Sequence, residues 1–102
     1  MVVVVKEPEV IEYIRQSPVQ NTEMIERILC RKLGMTPRQF QVQNRGNEKT
    51  VGLKTAIPVK ITDPRLVRYI NRRKESMGVM QRRTVELAVL EHKKKYGAYT
   101  ND

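Results

Sequence analysis

Two short stretches of the chain are rich in β-branched residues, and each precedes a segment in which apolar residues recur with a helical period. The first stretch is the run Val2–Val5, and the second alternates through Ile57, Val59 and Ile61. β-Branched side chains pack well on a pleated surface, so both stretches favour short strands. The chain is therefore predicted to contain two strands, each followed by helices.

The helical segments begin at recognisable signals. The pairs Glu7-Pro8 and Asp63-Pro64 place an acidic residue at the N-terminus of a helix and proline at its first position, where a missing N–H costs nothing. Each of these helices is predicted to be followed, after a turn, by a second helix. Asn21 is the expected cap of the second helix in the first half of the chain.

The last predicted helix is apolar on most of its circumference. Its apolar residues lie between Val85 and Leu90, and three lysines that oppose the helix dipole precede Gly97, the expected stop. This helix is therefore expected at the centre of the core. The apolar residues of the other three predicted helices are Val10, Ile11, Ile14, Met24, Ile25, Ile28, Leu29, Leu33, Leu66, Val67 and Ile70.

Two matching segments predict an internal repeat; the alternative is chance, because amphipathic helices that begin with an acidic residue and proline are common. The sequence from residue 5, VKEPEVIEYI, matches the sequence from residue 61, ITDPRLVRYI, at a fixed offset of 56 residues. We predict one α+β domain of two strand-helix-helix repeats related by a pseudo-twofold axis, with the strands paired as a short antiparallel ribbon. Repeat one covers residues 1–34, the connection 35–55, repeat two 56–97 and a frayed tail 98–102.

The 102 residues suffice for one domain with one modest core, which excludes large multidomain enzymes. No stretch approaches the roughly 18 consecutive apolar residues of a membrane span, and the run Val2–Val5 is too short for a signal peptide. The lone Cys30 cannot form an internal disulfide. We therefore expect a soluble intracellular protein that does not bind a membrane.

The order strand, helix, glycine turn, helix resembles the ribbon-helix-helix family of DNA-binding proteins. The likeness is clearest in residues 56–97, where Met77-Gly78-Val79 occupies the turn and VELAVL, from Val85, resembles the buried second helix. The resemblance implies an antiparallel ribbon that enters the DNA major groove, formed here within one chain as a pseudo-dimer. The small size, basic charge and divergent repeats also resemble a protein of an archaeal filamentous virus, for which the host cytoplasm is the expected location.

Strand parity assigns five residues to the outward face of the ribbon: Val2, Val4, Ala56, Pro58 and Lys60. Four of the five cannot hydrogen-bond a base edge through their side chains. Pro58 also lacks an N–H, so it has to face away from the partner strand. The chain thus departs from the family where bases would be recognised, and its apolar face is expected to be covered by the connection, a second copy or a partner.

The formal net charge of +9 is unevenly distributed: 0 over residues 1–34, +3 over 35–57 and +6 over 58–102. Arg65, Arg68 and Arg72 share one helical face in the second repeat, where the first repeat has Glu9 and Glu12. Faces of opposite character suit head-to-tail self-association or a polar partner, and do not suit a symmetric duplex site.

Basic residues near the ribbon and at helix ends are candidate phosphate contacts, with a solvated surface as the alternative. Arg82 and Arg83 open the last helix, where the helix dipole disfavours cations unless an anion is bound. The candidates are Lys60, Arg65, Arg68, Arg72, Arg82 and Arg83.

The connection supports two interpretations. Residues 28–40 resemble a helix-turn-helix, with Thr36 as cap, Pro37 opening a recognition helix and polar side chains at 38, 39, 41 and 43 directed to bases. Residues 39–43 also alternate as a strand does, and residues 44–47 form a good turn before 50–53. A hairpin there would extend or cover the ribbon.

Catalysis finds little support. His92 is the one side chain that titrates near neutrality, and Cys30 on an amphipathic helix is expected to be packing. No metal-ligand cluster or phosphate-binding glycine loop is present in the sequence, so no metal or cofactor is expected. Tyr13 and Tyr69, at equivalent repeat positions, lie either at the rim of the core or in a groove that anchors a partner.

Two functions follow from these features. In the first, which we favour, the protein is a non-catalytic module that binds a protein or peptide through the tyrosine groove and the apolar ribbon. In the second, the basic second repeat binds DNA mainly through phosphate, with a role in transcriptional regulation.

Overall fold

A computed structural model describes residues 1–40 and 55–99 of the chain. Within these ranges the protein is a small α+β unit of four helices and a two-stranded antiparallel sheet, and none of the helices is long and apolar enough to cross a bilayer. The elements in chain order are β1 (Val2–Val5), α1 (Pro8–Gln16), α2 (Asn21–Leu33), β2 (Ile57–Lys60), α3 (Pro64–Met77) and α4 (Gln81–Tyr96).

The two strands pair across the length of the chain. Val3 lies opposite Val59, and Val4 lies opposite Pro58. Met1 and Ile61 exchange two backbone hydrogen bonds of 2.7 and 3.1 Å just beyond the strand ends. Hydrogen-bonded and non-bonded pairs alternate in an antiparallel ladder, so Pro58 falls in a non-bonded pair and its missing N–H costs no ladder bond.

The predicted strand parity is confirmed. Val3, Val5, Val59 and Ile61 are at most 2% exposed, whereas Val2 on the other face is 59% exposed. The helices cover the buried face, and α4 contacts β1 as well as the other three helices. The central position expected for α4 is therefore confirmed.

The ends of the helices follow the predicted signals with two differences. Pro8 and Pro64 begin α1 and α3, and Gly34 and Gly78 end α2 and α3 at φ 67° and 68°, in the left-handed region that favours glycine. Asn21 is the first residue of α2 rather than its cap. The side chain of Glu7 makes no capping hydrogen bond either.

Two buried glutamates connect the halves of the chain, and each accepts hydrogen bonds from the half to which it does not belong. Glu86 on α4 accepts the backbone N–H groups of Lys6 and Glu7, between β1 and α1, at 2.7 and 2.8 Å. Glu26 on α2 accepts the N–H of Thr62, between β2 and α3, at 2.9 Å. Each carboxylate is 1% exposed, so each strand-to-helix junction depends on a helix of the other half.

Each of the two buried carboxylates also forms an ion pair with an arginine. Glu86 lies 3.0 Å from Arg83, and Glu26 lies 2.8 Å from Arg38. Burial acts to raise the pKa of Glu86, but the N–H groups of Lys6 and Glu7 and the Arg83 guanidinium outweigh it and hold the pKa below its usual value. Glu86 is therefore an ionised acceptor in the folded protein near neutrality.

The predictions for the connection and the tail are corrected in part. Residues 35–40 form neither helix nor strand, so Pro37 opens no recognition helix within them; the hairpin residues from 41 onward lie outside the described residues. Arg38 is held by Glu26, which fixes this segment against α2. In the tail, Tyr99 is half-buried and packs against the core near His92, so it is not frayed; residues 100–102 lie outside the description.

We expect Glu86→Gln to lower the free energy of unfolding by about 1–3 kcal/mol near neutral pH, because a buried charge-assisted acceptor is lost. Urea unfolding measures this change, with the exposed Glu75→Gln as the matched control. Because the pKa of Glu86 is lowered by folding, the unfolded chain takes up a proton first on acidification. The deficit of the variant should therefore shrink as the pH falls through the carboxyl range; a deficit no larger than that of Glu75→Gln at neutral pH contradicts the account.

Candidate nucleic-acid interface

The outward face of the ribbon is open to solvent. Val2 is 59% and Val4 is 40% exposed, Pro58 and Lys60 are exposed, and Ala56 is half-buried. All five residues thus lie where parity predicted them. Two exposed valines on one strand form an apolar strip, and no described element covers it.

A cavity of about 320 Å³ lies beside the exposed side of β1, where the C-terminal part of α3 and the first turn of α4 approach the strand. Three of its lining side chains are cationic, and none is acidic. The lining includes Val2, Val4, Lys6, Lys74, Gln81 and Arg82. We call Lys6, Lys74 and Arg82 the cation cluster.

No described carboxylate neutralises the charges of the cation cluster. Among the described residues, Lys6, Lys74 and Arg82 take part in no ion pair; Arg82 only approaches the Met80 sulfur at 4.0 Å. The helix end beside them has no side-chain cap, because Met80 occupies the cap position of α4. Like charges beside free N–H groups make this cavity attractive to an anion.

Two of the six predicted phosphate contacts are already paired. Arg65 binds Asp63 at 2.7 Å and the Thr36 carbonyl at 3.0 Å, and its hydrogen bonds to the Asp63 carboxylate hold the pKa of Asp63 below its usual value. Arg83 binds Glu86 and also lies 3.7 Å from Glu7. Their first role is therefore to neutralise carboxylates at the strand-to-helix junctions.

The other four predicted contacts keep their charge available. Lys60, Arg68 and Arg72 are exposed and take part in no ion pair within the described residues, and Arg82 belongs to the cation cluster. Lys60 lies on the ribbon itself, opposite Val2. The predicted arginine face of α3 is thus reduced to Arg68 and Arg72.

The two helices that begin near the ribbon have opposite first turns. The first turn of α2 carries Glu23, whose carboxylate binds Arg27 at 3.0 Å. The first turn of α4 carries no acid and has Arg82 and Arg83 instead. An acidic residue at a helix N-terminus disfavours an anion there. The N-terminus of α4 is therefore a better anion site than the N-terminus of α2.

The two tyrosines proposed for a partner groove do not come together. Tyr13 is 4% exposed, and its hydroxyl donates to the Gly97 carbonyl at 2.6 Å. Tyr69 is half-buried on α3, with Arg73 5.9 Å above its ring. Tyr13 therefore belongs to the core, and the expected groove of both tyrosines is not formed.

His92 belongs to an aromatic cluster and is 7% exposed. Its ring centroid lies 4.8 Å from that of Tyr96, 5.9 Å from Tyr99 and 6.4 Å from Tyr13. Burial, with a smaller effect of Arg31, lowers the pKa of His92, and burial raises the pKa of Tyr99 to about 12.

The potential nucleophile is also buried. Cys30 is 0% exposed, and burial raises the pKa of its thiol, which disfavours the reactive thiolate. The prediction that Cys30 is part of the packing is confirmed. Within residues 1–40 and 55–99, no three histidine, cysteine or carboxylate side chains converge as a metal site requires.

No protein-family model, curated protein or solved structure matches the chain.

Sequence reasoning missed two members of the cation cluster, Lys6 and Lys74, because they belong to different halves of the chain. The sequence does hold a signal for both residues. Lys6 directly follows β1 and has the same parity as the exposed residues Val2 and Val4, and Lys74 lies one turn before Gly78. Strand pairing and the turn after α3 bring the two residues to one cavity.

His92 makes stability depend on pH in a window above that of the carboxylates. Its pKa is lowered by folding, so the unfolded chain binds a proton first as the pH falls below about 6.5. We expect urea unfolding at about pH 7.5 and about pH 5.5 to show a loss of stability at the lower pH, and His92→Phe to remove most of that loss. An equal loss in both proteins contradicts this role of His92.

Proposed function

We propose that this protein is a non-catalytic module that binds duplex DNA mainly through phosphate, from one side of its two-stranded ribbon. The observation that carries the proposal is the cation cluster. Lys6, Lys74 and Arg82 line one cavity beside the exposed strip of β1, and no described carboxylate neutralises them. Their position beside the uncapped start of α4 adds N–H donors that suit a phosphate oxygen.

The pattern of paired and unpaired cations supports the proposal. The basic residues that touch buried carboxylates, Arg38, Arg65 and Arg83, serve the fold. Unpaired cations repel one another, and a neighbouring phosphate backbone relieves the repulsion while releasing counterions. Lys60, Arg68 and Arg72 extend the unpaired charge over the ribbon and α3.

We further infer that the two halves are a duplicated strand-helix-helix unit related by a pseudo-twofold axis. Three observations support this inference. Val3 pairs with Val59, its equivalent at the offset of 56 residues, so the remaining strand pairs are arranged symmetrically about that pair. Glu26 and Glu86 serve equivalent junctions of opposite halves. The element order repeats, as in the ribbon-helix-helix proteins that the sequence resembles.

The two halves would nevertheless bind DNA unequally. The start of α4 has Arg82, whereas the start of α2 has Glu23 in an ion pair with Arg27. A duplex therefore meets phosphate-binding groups mainly on the α4 side. Val2, Val4 and Pro58 offer the bases no side-chain hydrogen bond, so we propose binding with little sequence preference and no requirement for a palindrome.

Interaction with a protein or peptide through the apolar ribbon is the second candidate. It rests on the exposure of Val2 and Val4, which leaves an apolar strip beside the cation cluster. The tyrosine groove no longer supports it, because Tyr13 is buried. In this alternative the partner would cover the strip and present carboxylates to the lysines.

The first test is a titration of fluorescent duplex DNA at several salt concentrations. We expect a steep loss of affinity with salt, and a slope on the logarithmic plot that falls by about 2 in the double variant Lys6→Gln, Arg82→Gln. The matched control is Lys94→Gln, Lys95→Gln. It removes the same charge at the other end of α4, roughly 20 Å away.

The two variants separate a local site from general attraction. Equal losses of slope in both double variants would mean that net charge alone attracts the DNA, and the cation cluster would lose its role. Absence of binding even at low salt would contradict the nucleic-acid proposal and leave the apolar ribbon as the candidate interface.

A further inference from the structure

The outer face of α4 carries an apolar surface that the fold leaves uncovered. Val85, Ala88 and Val89 are at most 3% exposed, but Leu87, between them in the chain, is 44% exposed. The helix is central in the core, yet it turns the Leu87 side chain away from that core. Leu90 is half-buried one turn further along the same face.

Leu87 and Leu90 line a groove of about 470 Å³ between α3 and α4. Tyr69 forms part of the opposite wall from α3, so three large apolar side chains meet in one depression. A single exposed leucine on a surface needs no explanation, whereas a groove lined by several apolar side chains is typical of a binding surface.

The net charge at the rim of the groove is positive. Arg73 and Lys94 line it and take part in no ion pair within the described residues; Arg73 lies over the Tyr69 ring. Glu91, the acidic residue of the lining, binds Lys32 at 2.6 Å, and that hydrogen bond lowers the pKa of Glu91. The carboxylate is thus neutralised, and the two remaining cations make the rim positive.

We propose that this groove binds an acidic amphipathic helix of a partner protein. Leucine-sized side chains at helical spacing would enter between Tyr69, Leu87 and Leu90, and flanking carboxylates would pair with Arg73 and Lys94. The groove and the cavity of the cation cluster share no lining residue. A partner can therefore occupy the groove whether or not nucleic acid is bound, and the proposal does not depend on the proposed function.

The probe for this site is a fluorescein-labelled synthetic peptide of about four helical turns, with leucines at i, i+3 and i+7 and glutamates beside them. A second peptide has lysine in place of each glutamate. We expect fluorescence anisotropy to show that the acidic peptide binds the full chain at least about tenfold more tightly than the basic one. Leu87→Glu should lower the affinity for the acidic peptide by about tenfold or more, because it places a carboxylate in the groove.

Two further variants make the result specific. Met77→Glu introduces the same charge at an exposed apolar side chain at the end of α3, outside both cavities, and should leave peptide binding unchanged. The double variant Arg73→Glu, Lys94→Glu should reverse the preference towards the basic peptide. Lys94 is exposed and Arg73 is half-buried outside the core, so this variant tests the groove even if Leu87→Glu folds poorly. Circular dichroism checks that each variant is folded.

Equal affinity of the protein for the two peptides would overturn the proposal. A preference for the acidic peptide that persists in the variant Arg73→Glu, Lys94→Glu would overturn it as well. It is also overturned if sedimentation equilibrium shows self-association that Leu87→Glu abolishes, because a second copy of the chain would then be the occupant. Displacement of the acidic peptide by duplex DNA would likewise assign the groove to nucleic acid.

Discussion

The antiparallel pairing of β1 with β2, secured by two buried carboxylates, is the constraint on which the rest of the structure depends. A two-stranded ribbon has little stability by itself, and each pair of helices buries its apolar side only against that ribbon and the other pair. Glu26 and Glu86 reinforce this dependence, because each accepts hydrogen bonds from the strand-to-helix junction of the opposite half. Breaking either contact would leave backbone N–H groups buried without an acceptor and a buried carboxylate with only its arginine partner.

This architecture determines which charges are free to act. Helices cover the inner face of the ribbon and leave the outer face with Val2 and Val4 exposed. Arginines next to Glu26, Asp63 and Glu86 are used in folding, so the count of 20 lysines and arginines overstates the cations that a partner meets. Three cations that no described carboxylate pairs with lie together beside β1 and the start of α4. On this account the positive charge serves two separate purposes, stability at the junctions and attraction of an anionic partner on one side.

Most of the local structure could be predicted from the sequence, because local rules decide it. Prolines after an acidic residue begin α1 and α3, and parity separates Val3 from Val2. The long-range contacts could not be predicted in the same way. An isolated glutamate among apolar residues does not reveal that Glu86 binds backbone N–H groups 79 and 80 residues earlier. Tyr13 and Tyr69 occupy equivalent positions in the sequence, but Tyr13 is covered by the segment around Gly97. The cation cluster was also missed, since Lys6 and Lys74 meet only after the strands pair.

The most direct test of the central claim, that DNA is held from one side of the ribbon, is an NMR titration of the labelled protein with a short duplex. The account predicts that the largest amide shift changes occur at Val4, Lys6, Gln81 and Arg82, around the cation cluster. The first turn of α2, at Glu23, should change little. Equal changes at the starts of α2 and α4 would contradict the one-sided arrangement, and changes confined to the groove around Leu87 would assign the DNA to a different surface.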